Sequence, residues 1–370
     1  MSVLDGTLGD MVYLVRCALD GRKPDMARID AMDLDAVYQA SQRHLLVSAC
    51  ATALESAGVH DEQFAQAWAK AVRKVALMDA ERASVCRAMD AAGIWYAPLK
   101  GCILKDLWPV FGMRQMADND ILFDVSRAED VRDIMESKGF TSAIFGKSNH
   151  DVYFKKPVYN FEMHRGLFGK AYEPRVYAYY QDAKRLLVPD GESTCGMHLR
   201  DEDFYVYLIA HEHKHFSAGG TGLRSLADTY VWLRAKSDCM DWDYMATQLD
   251  MLGLTDFERD NRLLTTALFS GEPLTQEQED VLGYMADSGT YGTTSHKVSN
   301  QVARYGRMGY LVHRAVPPLE FMQMLYPVLE SHPVLLPVCW VWRLASAVVT
   351  KPKRVREQLM GAFMSTRDET

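Results

Sequence analysis

The chain lacks several features that would fix its class at once. Its seven cysteines (Cys17, Cys50, Cys86, Cys102, Cys195, Cys239 and Cys339) are scattered, and no two form Cys-x-x-Cys. A zinc ribbon or a disulfide framework is therefore not expected, and free thiols fit a reducing cytoplasm. Basic charge is not in excess: the formal net charge is -8. That argues against a broad nucleic-acid-binding surface and leaves room only for a local basic groove. Asp5 and Asp10 come early, and no basic segment followed by an apolar core opens the chain, so no signal peptide is expected. There is no internal repeat and no low-complexity tract. No unbroken apolar run reaches the roughly 20 residues of a membrane span. The nearest candidate, Pro333 to Val349, is interrupted by Pro337 and Arg343. It is expected to be a buried helix followed by a solvated basic tail, Lys351 to Arg356. The alternative is that 333–356 rests weakly on an anionic membrane surface through its aromatic, apolar and basic residues.

What is present describes an ordinary globular chain of 370 residues, 48% apolar and 24% charged, long enough for two or three domains. Apolar residues recur at helical spacing over Leu34–Ala57 and Phe64–Ala92, closed by Gly58 and Gly93. Ile94–Leu99 switches to strand composition, followed by a short helix from Cys102 to Trp108. A second strand spans Asp118–Asp124. Ser126 is placed to cap a helix over Arg127–Ser137, with Glu129 completing a capping box. Further strands are expected at Phe140–Phe145, Asp151–Lys155 and Tyr159–Leu167. Helices return at 201–216, 221–236, 241–252 and beyond. The expected class is α+β, with a helical region over 1–92, a small mixed-sheet core over 93–200 and a helical region over 201–370.

The most informative stretch is Asp118-Asn119-Asp120, running into Ile-Leu-Phe. On a strand the two carboxylates point the same way, and side by side they repel unless a cation lies between them. A hard ion such as Mg²⁺ prefers such oxygen donors. The alternative is a pair of solvated aspartates at a loop-to-strand junction. Tyr159–His164 adds Glu162 and His164 on one strand face, opposite Phe161 and Met163. If that strand neighbours the first, Glu162 becomes a third carboxylate, suited to ions about 3.5–4 Å apart and to displacement at phosphorus. Lys100-Gly101 ends a strand, with a point charge for phosphate and a residue that permits close backbone approach. Arg114 can contact phosphate or pair structurally with a carboxylate.

Taken together, Pro98-Leu99-Lys100-Gly101, then Arg114-x-Met116-x-Asp118-x-Asp120-Ile-Leu-Phe, then Glu162-Met163-His164, resemble the uncharacterised bacterial nucleotidyltransferase family of the polymerase-beta-type superfamily. The resemblance continues from His198-Leu199 through Asp228, and again over Tyr326–Pro337. It implies a nucleotidyltransferase core in which Asp118, Asp120 and Glu162 are catalytic and bind Mg²⁺. Lys100, Gly101, Arg114 and His164 would lie at the nucleotide. It implies transfer of a nucleoside monophosphate from a nucleoside triphosphate to an acceptor that the sequence does not identify. It also implies that the helix bearing His211 and Lys214 packs on the catalytic module, so that one of them meets the nucleotide. Two departures stand out. Cys102 replaces the hydroxyl or glycine usual after Gly101, and polar Asn119 between the aspartates is expected to loosen the strand's packed face. Both leave open a catalytically weak nucleotide-binding or regulatory protein. A competing motif, His211-Glu212-His213-Lys214-His215, satisfies His-Glu-x-x-His and would make a zinc peptidase. It lacks a downstream glutamate ligand, since no Glu lies between Phe216 and Phe257, and Asp228 is the nearest substitute.

Overall fold

The structure, a computed structural model, describes residues 2–170, 172–191 and 193–350. The chain forms two compact units, Met1–Lys214 with Gly222–Ala286, and His215–Thr221 with Asp287 onward. In the first, α1 (Thr7–Asp20), α2 (Met26–Asp30), α3 (Leu34–Arg43), α4 (Val47–Ala57) and α5 (Glu62–Ala91) precede the sheet. The single helix expected over 34–57 is two. The break falls at Leu45, whose φ of 54° is left-handed, beside buried His44, whose Nδ1 accepts the Leu223 N–H at 3.3 Å. Gly58 caps α4 in the left-handed conformation, as its position predicts. Asp61 starts α5 by accepting the N–H groups of Gln63 and Phe64.

Five strands form one sheet: β1 (Tyr96–Pro98), β2 (Asn119–Phe123), β3 (Thr141–Ile144), β4 (His150–Lys155) and β5 (Tyr159–His164), in the order β1-β2-β5-β4-β3. The β2–β5 pair is parallel and the others are antiparallel. The fold is thus α+β, with helices on both sides of a mixed sheet. Between β1 and β2 lies α6 (Gly101–Leu104), shorter than expected because a 3₁₀ turn takes over at Lys105–Leu107. Between β2 and β3 lies α7 (Ala128–Ser137). Its entry is not the expected capping box. Asp124 accepts the Ser126 N–H and hydroxyl, and a 3₁₀ turn over Val125–Arg127 precedes the helix.

Alternation along the strands sorts the residues by face. Ile121, Phe123, Phe161 and Met163 are buried with Val85 and Met89 of α5 and Val131 and Met135 of α7. Burying side chains of this size contributes about 1.5–3 kcal/mol each. The other face carries Ala97 and Leu122, packed against Phe204–Ala210 of α9 (Asp201–Gly219). The chain reaches α9 through α8 (Pro174–Tyr179) and a small ribbon, β6 (Leu187–Pro189) with β7 (Met197–Leu199). Then come α10 (Arg224–Lys236), α11 (Trp242–Leu252), α12 (Thr255–Ser270) and α13 (Gln276–Ser288).

The second unit contains α14 (Thr294–Ala315), α15 (Leu319–Leu325), α16 (Val328–Ser331) and α17 (Leu336–Thr350). The apolar stretch 333–349 does form a helix, but only one side of it is packed. Leu336, Cys339 and Trp340 meet Met322 and Leu329, whereas Val338, Val341 and Trp342 are exposed. No helix of the described residues is long and apolar enough to cross a membrane. The basic run Lys351–Arg356 lies outside the described residues.

Candidate functional site

Register places the acidic residues. Asp120 of β2 lies directly opposite Glu162 of β5, and Leu122 opposite His164. In a parallel pair, facing residues share a side of the sheet, so Asp120, Glu162 and His164 come together on the α9 side. One donor atom from each of the three lies within 4.8 Å of the others, and among the described residues this is the one such group of three. His164 Nε2 is 2.7 Å from Asp120 Oδ1 and 3.8 Å from Glu162 Oε2. Asp118 is not in this group. It stands just before β2, within electrostatic reach of Asp120, Lys100, Arg224 and Arg114.

Lys100 completes the inner arrangement. Its Nζ is 2.7 Å from Asp120 Oδ1. Its backbone is held at φ 48°, ψ -118°, where a side chain costs about 1–3 kcal/mol. The Leu99 N–H donates to the Asp120 carbonyl, while the Lys100 carbonyl accepts the N–H groups of Ile103 and Leu104. The strained turn is thus pinned on both sides.

The charges are shifted in opposite directions. Burial raises Asp118, and neighbouring Asp120 adds to it. Burial, then Asp120 and Asp118, push the Glu162 carboxyl up to about 7. Burial also acts to raise Asp120, but Lys100 and His164 outweigh it and hold that carboxylate below the ordinary range. Burial and Lys100 lower His164 to about 4, leaving it a neutral imidazole that donates Nε2–H to Asp120. Three carboxylates that repel one another in a part-buried site fit a divalent cation, whose charge would relieve the strain on Asp118 and Glu162.

Further residues border the site: His150 and Tyr207 are not among the expected site residues, whereas Lys214 is one of the two α9 residues expected near the nucleotide. His150 of β4 pairs with His164 in register, its Nε2 3.8 Å from Glu162 Oε2. From α9 come Lys214, in the field of Lys100, Glu162 and Asp120, and Tyr207, in the field of Lys100, Asp120 and Glu162. The buried Tyr207 hydroxyl has no hydrogen-bond partner among the described residues. Seven residues separate the two, so they lie two turns apart on one helix side. That spacing was the available signal for Tyr207, masked by the many other tyrosines. Burial, then Lys100, lower the Lys214 ammonium. Lys74 of α5 donates to the Ala117 carbonyl at 3.2 Å, next to Asp118.

Arg114 and Gly101 serve one another. The Arg114 fork grips Asp228 of α10, with Nε on Oδ1 at 2.6 Å and Nη2 on Oδ2 at 2.8 Å. Trp108 Nε1 donates to the same carboxylate at 3.1 Å. A Cβ added at Gly101 would lie 2.6 Å from Arg114 Nη1 and 3.0 Å from Met116 Sδ. The space that glycine leaves is therefore filled by a guanidinium that its ion pair prevents from moving.

Both departures have structural explanations. Asn119 does not loosen the packed face. It is fully buried, its Nδ2 donates to the Met78 carbonyl, and its Oδ1 accepts from Arg82 Nη1 at 3.1 Å. Arg82 in turn holds Asp79. A satisfied polar tie thus fixes α5 to the back of the strand that carries Asp120. The Cys102 thiol lies in the same layer, 3.5 Å from Asn119 Oδ1 and 3.6 Å from the Asp120 carbonyl.

Neither His211 nor His215 joins a group of three metal-type donors among the described residues. Glu212 is buried and accepts from Thr229 Oγ1 at 3.4 Å. Burial pushes its carboxyl up to about 7. Because that value lies above the unfolded one, the folded state holds the extra proton between about pH 4.5 and 7. The stability from Glu212 is present below that window and is lost as pH rises through it. Glu212→Gln is expected to gain about 2.5 kcal/mol relative to the parent chain between pH 5 and pH 8. Urea denaturation at the two pH values measures it, and an unchanged difference would disprove it.

A family model for uncharacterised nucleotidyltransferases matches residues 30–270, well over half of the chain. No curated protein and no solved structure matches it significantly. The matched span covers the sheet with Asp120, Glu162 and His164 together with α9 and α10: the chain belongs to the uncharacterised nucleotidyltransferase family.

Proposed function

We propose that the chain is a Mg²⁺-dependent nucleotidyltransferase of the polymerase-beta type, moving a nucleoside monophosphate from a nucleoside triphosphate to an acceptor hydroxyl or phosphate. The observation that carries the reading is the parallel register of Asp120 and Glu162, with Asp118 two residues upstream of Asp120. These three carboxylates would hold the metal, which supplies charge stabilisation at the reacting phosphate. The acceptor oxygen attacks the α-phosphorus, and pyrophosphate leaves. Lys100 and Lys214 add positive charge for the triphosphate. In this reading Glu162 takes the acceptor's proton, while His164 orients Asp120 through its Nε2–H. We assign Arg114 and Gly101 to positioning the turn rather than to touching nucleotide. Seven unbridged cysteines fit a cytoplasmic location.

The test is pyrophosphate release from each of the four ribonucleoside triphosphates with Mg²⁺, with the α-label followed onto the acceptor. Release with at least one of them, lost in an Asp118→Asn/Asp120→Asn variant, is the expected result. Release equal in both proteins sinks the metal-site assignment. A second reading, a nucleotide-binding regulator, draws support from Lys100 already neutralising Asp120. Saturable nucleotide binding by calorimetry with no pyrophosphate release would favour it.

A further inference from the structure

We propose that the unit from Asp287 onward is a docking surface for an anionic lipid membrane. The observation is where the exposed apolar side chains fall. Among the described residues, 14 of the 24 exposed large apolar side chains lie within 291–344. They are ordered. On α17, Val338, Val341 and Trp342 are 65%, 69% and 66% exposed, at i, i+3 and i+4, on the side opposite the packed Leu336, Cys339 and Trp340. On the part of α14 that follows the kink at Gly306, Met308 and Val312 are exposed at i and i+4, with Met308 73% exposed. Helices that show apolar stripes to solvent mark a binding surface rather than an ordinary exterior.

Charge identifies the occupant. From Asp287 to Arg356 there are nine Lys and Arg (Lys297, Arg304, Arg307, Arg314, Arg343, then Lys351, Lys353, Arg354 and Arg356) against three acids, Asp287, Glu320 and Glu330. That segment carries +6, and Asp287 to Thr370 as a whole carries +4, in a chain whose net charge is -8, so the rest of the chain carries -12. No acid occurs from Ser331 to Arg356. A second copy would bring like charges together, which disfavours self-association. An anionic lipid surface takes both features, apolar residues entering the headgroup boundary and basic residues meeting phosphate. Trp342 is of the type enriched at that boundary. The 15-residue α17 is too short to cross, so the mode is lying on the membrane.

The experiment is flotation of the full chain, without nucleotide, on vesicles of phosphatidylcholine alone or with about 30 mol% phosphatidylglycerol. Each Lys or Arg near an anionic surface contributes about 1 kcal/mol, and 1.4 kcal/mol is tenfold. Partition onto the anionic vesicles is therefore expected to exceed that onto neutral ones at least about tenfold, and to fall in high salt. Val341→Asp/Trp342→Asp, at exposed positions, is expected to lower it at least about tenfold with an unchanged far-UV circular dichroism spectrum. Val338→Asp is a milder second variant with the same direction. Three outcomes would overturn the proposal: no binding, equal partition onto both vesicles, or a dimer in light scattering that the same substitutions abolish. Because nucleotide is absent from the assay, such a failure leaves the transferase reading untouched.

Discussion

Asp120→Asn is expected to lower pyrophosphate release at least about a thousandfold, or about 4 kcal/mol of barrier. Asp120 is the residue on which the inner contacts converge. It faces Glu162 across the parallel pair, accepts from Lys100 at 2.7 Å and from His164 at 2.7 Å. Asn keeps the shape and loses the charge, so a cation is no longer attracted and Lys100 stands without its counter-ion. Far-UV circular dichroism and urea denaturation separate loss of chemistry from loss of fold. Should the variant unfold, Asp118→Asn is the alternative, since Asp118 is half-buried and outside the inner group. A folded variant with release within a few-fold of the parent would remove Asp120 from the chemistry.

Arg114→Ala is expected to destabilise the fold by about 3–5 kcal/mol, because it leaves the Asp228 carboxylate buried beside Trp108 without its counter-charge. Lysine cannot reproduce the two-pronged contact, so Arg114→Lys is expected to recover little. Arg114→Met with Asp228→Leu removes both charges and should recover most of the loss, since buried pairs are often replaceable by apolar groups. The readout is the urea midpoint alongside kinetics. If Arg114 instead binds nucleotide, Arg114→Ala would raise KM at unchanged stability, and the structural assignment would be wrong.

These two residues show how unevenly the sequence reports its own site. Asp120 was legible as the acidic residue leading into a buried strand, whereas Asp118, paired with it by spacing, falls just before β2 and outside the inner group. Glu162 and His164 were legible because a two-residue spacing on a strand puts both on one side, and only their neighbouring strand had to be assumed. Arg114 was not settled, because its partner Asp228 lies 114 positions away on α10 and no local pattern marks it. Asn119 read as a flaw for a related reason. Its partners, Met78 and Arg82, belong to a helix that ends nearly 30 residues earlier. The break at Leu45 was hidden by apolar spacing that runs through it.

The sequence by itself determined the α+β class, the approximate strand positions and a set of candidate site residues, because those follow from period and residue type. Tertiary structure alone decided that β2 and β5 pair in parallel with Asp120 opposite Glu162, that Lys100 and His164 both hold Asp120, and that Tyr207 and Lys214 of α9 border the same place. It also decided which side of α17 is packed. Pairing register, the shifts that burial and neighbouring charge impose on each acid, and exposure all depend on residues distant in the chain, and only the folded arrangement brings them together.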